Sequence, residues 1–271
     1  MRLNAVWLVG LLLSGCGGAA EEAQPREAEA PSQEVAASGF SAPIEAAHNA
    51  AAWRAKEVFQ AGLEISFGGN PIFQGDMLMD VSGAPARLDR QDGASVVYAQ
   101  GEAWVTPASA EFSQARFHVL TWPYFLAAPF KLNDPGTSIE ETGKAMLGDK
   151  EYDTAKLTFE AGTGDTPDDW YLLYRDPDSG RLMAMSYIVT YGTSTKEASQ
   201  DPHLIAYEDF QTVEGIPIPR KWVFWTWREG QGIVGDTPIG QVLLTNPQFL
   251  LAASARFQRP QDARKAELPS Q

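Results

Sequence analysis

The sequence predicts a mainly β domain of the α+β class, in which a single curved antiparallel sheet wraps around helices. Apolar and polar residues alternate in several segments between Leu63 and Phe224, as in strands that bury one face. Turn residues, as at 68–71 and 176–180, separate these segments. Short turns indicate antiparallel pairing, because parallel strands need crossovers of a dozen residues or more. Helical patterns occur before the first strand and again at 120–132.

The first predicted element is a helix. Apolar residues recur at helical spacing from Ile44 to Phe59, and Gly62 ends the pattern. Trp53 and Lys56 lie off this apolar stripe. The period then changes to two, and one face of the successive strands is marked by Leu63, Ile65, Phe67, Met77, Met79, Val81, Val96, Tyr98, Leu157, Phe159, Met183, Met185, Tyr187, Val189, Tyr191, Trp222 and Phe224.

Residues 120–132 interrupt the strand pattern. The segment is too aromatic for a surface loop, and Pro123 and Pro129 do not suit a central strand. We expect a short helical segment that packs against the sheet. His118, just before it, is expected in a strand. The string GIPIP at 215–219 is most simply a turn before the next strand, although its prolines would also suit a partner-docking edge.

The beginning of the chain resembles a bacterial lipoprotein signal. Arg2 precedes an apolar run at 5–13, and small residues lead to Cys16. The run is shorter than the roughly 20 residues that span a bilayer. The resemblance implies a signal peptide at 1–15 and acylation, for example by palmitate, at Cys16. The alternative is an ordinary signal peptide with a chance cysteine.

Residues 16–40 are rich in Ala, Glu, Pro and Ser, which predicts a disordered acidic tether. We therefore expect one domain at 41–258 and a frayed tail at 259–271. The net charge of −14 opposes contact with phosphate and predicts no nucleic-acid partner. We expect a location in the cell envelope, with a lipid anchor in the outer membrane and the domain facing the periplasm. Gly17 favours the outer membrane only by analogy with enterobacterial sorting.

Several strings together are similar to the superfamily of LolA- and LolB-type lipoprotein carriers and outer-membrane lipoprotein-sorting proteins, and more narrowly to an uncharacterised family within it. They cover most of 44–258, and they are residues 98–104, TWPYF at 121–125, PFKL at 129–132, GDTPDDWY at 164–171 and GIPIP at 215–219. The resemblance implies a half-open antiparallel barrel around helices, with an apolar cavity for a hydrophobic ligand. It supplies no catalytic activity.

Aromatic and methionine side chains are suited to a cavity for acyl chains. The candidates are Trp122, Tyr124, Phe125, Phe130, Met183, Met185, Tyr187, Trp222, Phe224 and Trp225. The segment 222–227 is aromatic on both faces. Either one face packs on the helices while the other lies under a loop, or one face lines the ligand site.

Asp176 and Asp178 form part of a calcium-loop pattern, but the third acidic ligand and the terminal Glu are missing. The simpler interpretation is a solvated turn, with Asp168 or Asp169 capping it or paired with Arg175 or Arg181. The histidines and the remaining sequence match no HExxH or GxSxG motif. We expect no cofactor and no catalytic residue.

These observations predict a membrane-anchored periplasmic lipoprotein that binds a lipid or a lipoprotein acyl chain without chemistry, with the first helix and the 122–132 segment acting as a lid. One alternative is an assembly lipoprotein, whose barrel is filled by its own side chains and whose rim binds another envelope protein. A metal-dependent hydrolase using the acidic cluster at 165–178 is a third hypothesis.

Overall fold

The computed structural model describes residues 39–251 and 254–268. The predicted signal peptide, Cys16 and nearly all of the predicted tether lie outside these residues. Among the helices of the described residues, none combines the length and the apolar character that crossing a bilayer requires.

The described chain forms one large antiparallel sheet with helices on its inner face, so the predicted fold class is confirmed. Its strands are β1 (Val58–Phe67), β2 (Asn70–Asp80), β3 (Ala86–Arg90), β4 (Ser95–Ala99), β5 (Glu102–Thr106), β6 (Thr137–Leu147), β7 (Lys150–Phe159), β8 (Tyr171–Arg175), β9 (Leu182–Tyr187), β10 (His203–Val213), β11 (Ile216–Arg228), β12 (Gly232–Ile233), β13 (Gly240–Leu250) and β14 (Arg264–Lys265).

Two meanders make up the sheet, and β13 joins them. The strand order is β14-β5-β4-β3-β2-β1-β13-β11-β10-β9-β8-β7-β6, and β12 pairs with the end of β11. β13 pairs with β1 on one side and with β11 on the other. The helices are α1 (Ser41–Ala47), α2 (Ala50–Arg54), α3 (Ala115–Ala127) and α4 (Thr195–Ala198), with 3₁₀ turns at Ala128–Phe130 and Ser254–Phe257.

The predicted first helix is broken and ends early. Between α1 and α2, Asn49 adopts a left-handed conformation with φ of 54°, which Asn tolerates better than most residues. Its side-chain amide donates to the carbonyl oxygen of Gly215 at 3.0 Å. Val58 and Phe59, predicted to be helical, instead begin β1 and pair with β2 and β13. A contact distant in sequence therefore overrides the local helical pattern.

Because the helix is broken, Trp53 faces the core, and its predicted position off the apolar stripe is wrong. The residue is 1% exposed. Its ring stacks on Phe130 at a centroid distance of 4.2 Å, and its indole nitrogen donates to the carbonyl oxygen of Val81 at 2.8 Å. Trp53 thus joins α2, the 3₁₀ turn after α3 and the end of β2.

The helical segment predicted at 120–132 is confirmed as α3 and its 3₁₀ turn, although α3 begins earlier, at Ala115. His118 consequently lies in α3, and its predicted place in a strand is wrong. The helix contacts β3, β4 and β5. Val119, Trp122 and Leu126 are among its buried residues.

The two aromatic faces of β11 have separate partners. Trp222 and Phe224 belong to the main core on the inner face, with the helices. Trp225 and Trp227 belong to a second cluster on the outer face, which includes Ile233 of β12. Trp227 donates from its indole nitrogen to the Tyr174 hydroxyl at 3.0 Å. The outer face is therefore covered by the segment that contains β12, as the first interpretation expected, whereas Phe224 on the inner face also borders a cavity.

Residues 215–219 were expected to form a turn. Residues 216–219 instead form the first part of β11 and pair with β10. β11 is an interior strand, and its pairing with β13 is confined to Lys221, Trp222, Val223 and Phe224. Pro217 and Pro219 therefore lie where no ladder hydrogen bond to β13 is needed.

At the other end of the chain, β14 pairs with β5 and Ala266 is 5% exposed, so part of the tail expected to fray is held in the sheet.

Candidate ligand cavity

A cavity of about 550 Å³ lies beside α3, against the inner face of the sheet. α3 contributes Trp122 and Phe125 to its wall, β9 contributes Tyr187 and β11 contributes Phe224. The loop at 163–169 closes one part of the wall, and residues 131–137 contribute another. The volume falls within the roughly 300–1,000 Å³ typical of small-molecule sites.

The wall is built from aromatic rings that contact one another. Phe125 lies 5.1 Å from Tyr187 and 6.0 Å from Phe224, measured between ring centroids. Trp122 meets Phe224 edge to face at 6.3 Å. Such ring pairs stabilise a folded domain by more than the burial of their apolar area alone contributes. Because the rings hold one another in place, the cavity has a defined shape.

The structure divides the ten predicted cavity residues into two groups. Those that line the cavity are Trp122, Tyr124, Phe125, Tyr187 and Phe224. The other five are elsewhere: Phe130 stacks on Trp53, Met185 and Trp222 are fully buried in the core, Met183 is half-buried in β9, and Trp225 lies on the outer face.

A β-bulge explains why Met183 departs from the predicted alternation. The pairing of β8 with β9 skips Met183 between Leu182 and Ala184. A one-residue shift moves the following side chains to the opposite face. The Leu182 N–H, at the bulge, donates to Nε2 of His48 at 3.1 Å. His48 thus stabilises the irregular strand from α1.

Asp165 and Asp169 line the cavity where the 163–169 loop meets α3. Arg116 donates to both oxygens of Asp165, at 2.5 and 2.8 Å, and to the carbonyl oxygen of Gly101 at 3.1 Å. Asp169 accepts from the N–H and hydroxyl of Thr190, both at 2.7 Å, and from the Thr166 hydroxyl at 2.8 Å. Burial raises the pKa of Asp169.

Asp168 or Asp169 was expected to cap or to pair with Arg175 or Arg181; Asp169 accepts from the backbone N–H of Thr190 and pairs with neither arginine. Arg175 donates to Asp153 at 2.8 Å, and the Arg181 guanidinium lies over the ring of Phe210. The turn that contains Asp176 and Asp178 pairs with a lysine instead. The Lys150 ammonium lies 2.9 Å from Asp176 and 3.3 Å from Asp178. Within residues 39–251 and 254–268, no three His, Cys, Asp or Glu side chains are grouped as a metal site would require.

The buried histidines are neutral at pH 7. Burial lowers the pKa of His48 to about 3 and that of His118 to about 4. His118, in the cavity wall, accepts at Nδ1 from the Trp122 indole at 3.1 Å. His118 therefore holds the Trp122 ring in position. His203 also lines the cavity, and burial lowers its pKa despite the nearby Asp201.

Residues 110–225 match the model of a family of unknown function, DUF6503. Among solved structures, a LolA superfamily protein from Nitrosomonas europaea superposes with a TM-score of 0.53 at 10% sequence identity, over 80% of this chain and 97% of that chain. The domain has the LolA fold. The resemblance predicted from the sequence is thereby confirmed for the fold, and the family match agrees with an uncharacterised family of this superfamily.

Two other structures resemble the LolA-like domain. A DUF1329 family protein from Desulfovibrio piger has a TM-score of 0.49 at 10% identity, covering 80% of this chain and 97% of that chain. An outer membrane lipoprotein-sorting protein domain from Vibrio parahaemolyticus has a TM-score of 0.46 at 7% identity, covering 76% and 92%. A search among curated proteins finds no match.

Proposed function

We propose that the LolA-like domain binds a hydrophobic ligand, a lipid or a lipoprotein acyl chain, in the cavity beside α3 and carries out no chemistry on it. The observation that carries this proposal is the cavity itself, with its wall of mutually packed aromatic rings. The alternative of a barrel filled by its own side chains is disfavoured by about 550 Å³ of unfilled space.

The energetics of such a site are favourable. Burial of an alkyl chain contributes about 0.8 kcal/mol per CH₂, so ten methylenes contribute roughly 8 kcal/mol before the cost of immobilising the ligand. A site with flat aromatic walls accepts chains of different length, because the contacts are not directional. Binding of a class of acyl chains is therefore favoured over a single compound.

We propose that movement of α3 widens the entrance for the ligand, which keeps the 122–132 part of the predicted lid but not the first helix. Trp122 and Phe125 of α3 line the cavity, whereas Phe130 at the end of the segment is stacked on Trp53. We propose that α3 moves while this stacked pair, which ties its C-terminal end to α2, acts as the fixed point. Acylation of Cys16 would hold the domain at the outer membrane, facing the periplasm.

An uncharged fluorescent probe, N-phenyl-1-naphthylamine, tests the proposal. Val189 lines the cavity, and Val189→Trp places a large ring there. The matched control is Val234→Trp, because Val234 is 38% exposed and lies outside the cavity lining. We expect saturable binding to the wild type and the control, and at least tenfold weaker binding to Val189→Trp with an unchanged far-ultraviolet circular dichroism spectrum. Equal binding by all three proteins would refute the proposal.

A further inference from the structure

Three tyrosines from different elements meet in the wall of the cavity. They are Tyr124 of α3, Tyr171 of β8 and Tyr187 of β9, and we refer to them as the tyrosine trio. Tyr171 and Tyr187 are directly opposite each other in the pairing of β8 with β9. Their ring centroids are 6.0 Å apart, and that of Tyr124 lies 5.4 Å from that of Tyr171.

The hydroxyls of the trio have no hydrogen-bond partner among the described residues, although Tyr171 and Tyr187 are only 8% and 6% exposed. Other buried tyrosines in the same domain are satisfied. The Tyr207 hydroxyl donates to the carbonyl oxygen of Phe125 at 2.6 Å, and the Tyr174 hydroxyl accepts from Trp227. Buried hydroxyls normally have partners, because leaving one unpaired costs free energy.

The trio hydroxyls are also not sealed within the protein. Each oxygen remains accessible to a molecule of the size of water, unlike a fully enclosed polar atom. All three residues line the cavity, so the cavity is the space next to these side chains. A guest in the cavity can therefore supply the missing hydrogen bonds.

The trio is a set of neutral donors. Burial raises the pKa of all three phenols far above the ordinary value, and the nearby Asp169 raises it further. A neutral phenol donates its hydrogen to an acceptor such as a carbonyl oxygen. The hydroxyls thus recognise an acceptor group on the guest.

The charges near the trio oppose an anionic acceptor. Lys131 lines the cavity, but its ammonium contacts Asp134 and donates to the carbonyl oxygen of Ser82 at 2.9 Å. Arg116 is engaged by Asp165. Asp169 adds a carboxylate whose described hydrogen bonds come only from Thr166 and Thr190. Lys131, the one Lys or Arg among the described residues of the wall, thus already has a carboxylate partner, as does Arg116 near the wall.

We propose that the tyrosine trio binds the neutral carbonyl oxygen of an acyl ester or amide, so that the cavity selects uncharged acylated guests over free fatty acids and phospholipids. This inference rests on the proposed function and adds the chemistry of the polar group. The acyl chain lies along the aromatic wall, and its ester or amide lies at the trio.

Displacement of N-phenyl-1-naphthylamine by ligands with an 18-carbon chain tests this inference. At pH 8 we expect methyl oleate to displace the probe from the wild type at concentrations at least tenfold lower than oleate. In Tyr171→Phe/Tyr187→Phe we expect the binding of methyl oleate to weaken three- to tenfold more than that of 1-octadecene, which has no carbonyl oxygen. Tyr152→Phe, on the outer face, is the matched control and should behave as the wild type.

The source of the ester is distinguished by comparing dioleoylglycerol with a synthetic peptide that carries a diacylglyceryl group on its N-terminal cysteine. Preference for either over oleate supports the proposal, and the tighter ligand identifies a free glyceride or a lipoprotein. Equal binding of oleate and methyl oleate, or unchanged binding of methyl oleate to the double Phe variant, would overturn it. If the probe itself does not bind to the wild type, the proposed function fails instead.

Discussion

The Arg116–Asp165 ion pair joins the first turn of α3 to the loop that closes the cavity, so its removal should destabilise the domain. The two side chains are only 9% and 14% exposed. In Asp165→Asn the guanidinium keeps its bond to the Gly101 carbonyl oxygen and its position over the Tyr98 ring, but loses its counter-charge. Breaking a buried pair in this way costs about 3–5 kcal/mol.

Because both groups retain some exposure, we expect the lower end of that range. A loss of about 3 kcal/mol corresponds to a fall in Tm of roughly 6–12 °C for a domain of this size. Thermal melting followed by circular dichroism measures it. Arg116→Met/Asp165→Leu should lose less stability than the sum of the two single variants, since no unpaired charge remains.

The control for this prediction is Lys144→Met, which breaks the ion pair with Glu151 between side chains that are 57% and 54% exposed. We expect no measurable change in its Tm, because exposed pairs contribute little. If Asp165→Asn melted within 1 °C of the wild type, the assigned role of the buried pair would be wrong.

Three further predictions concern stability and anchoring. His48 and His118 have a folded-state pKa near 3 and 4 against an ordinary value of 6.5, so the unfolded chain binds more protons below pH 6.5 and stability falls as the pH falls. The loss at pH 5 is at most about 2 kcal/mol for each histidine, and equal urea midpoints at pH 7 and pH 5 would contradict it. Trp53→Ala should cost about 4 kcal/mol in urea unfolding and Trp53→Phe less than half of that, because the phenyl ring can still stack on Phe130; equal costs would count against the stacking role. Cys16→Ser should transfer the expressed full-length chain from the detergent phase to the aqueous phase in Triton X-114 partitioning, whereas an unchanged detergent-phase fraction would refute anchorage through this residue.

Much of the fold could be predicted because its signals are local. Alternation and turn chemistry indicate the strands, and the prolines with the aromatic residues at 120–132 indicate the inserted helix. The break at Asn49 could not be predicted, since it depends on the bond from its amide to Gly215, a residue distant in sequence. Trp53 was misplaced for the same reason.

The cavity was harder to predict than the fold. Alternation assigns Met183 and Tyr187 to one face, but the bulge at Met183 separates them, and only Tyr187 lines the cavity. Tyr171 was missed because its importance comes from its register opposite Tyr187, which the sequence of one strand does not show. Asp165 and Asp169 belong to the cavity wall because their loop folds against α3. Arg116 of α3 holds Asp165 there, and Thr190 donates a hydrogen bond to Asp169.

Native mass spectrometry of the full-length protein, extracted from its own membrane, tests most directly whether the cavity holds a hydrophobic guest. We predict that the wild type retains a non-covalent mass of an acylated lipid or lipopeptide, that Val234→Trp retains it too, and that Val189→Trp loses it. A wild-type protein that carries no guest under conditions that preserve its fold, and that still fails to take up added methyl oleate, would contradict the account.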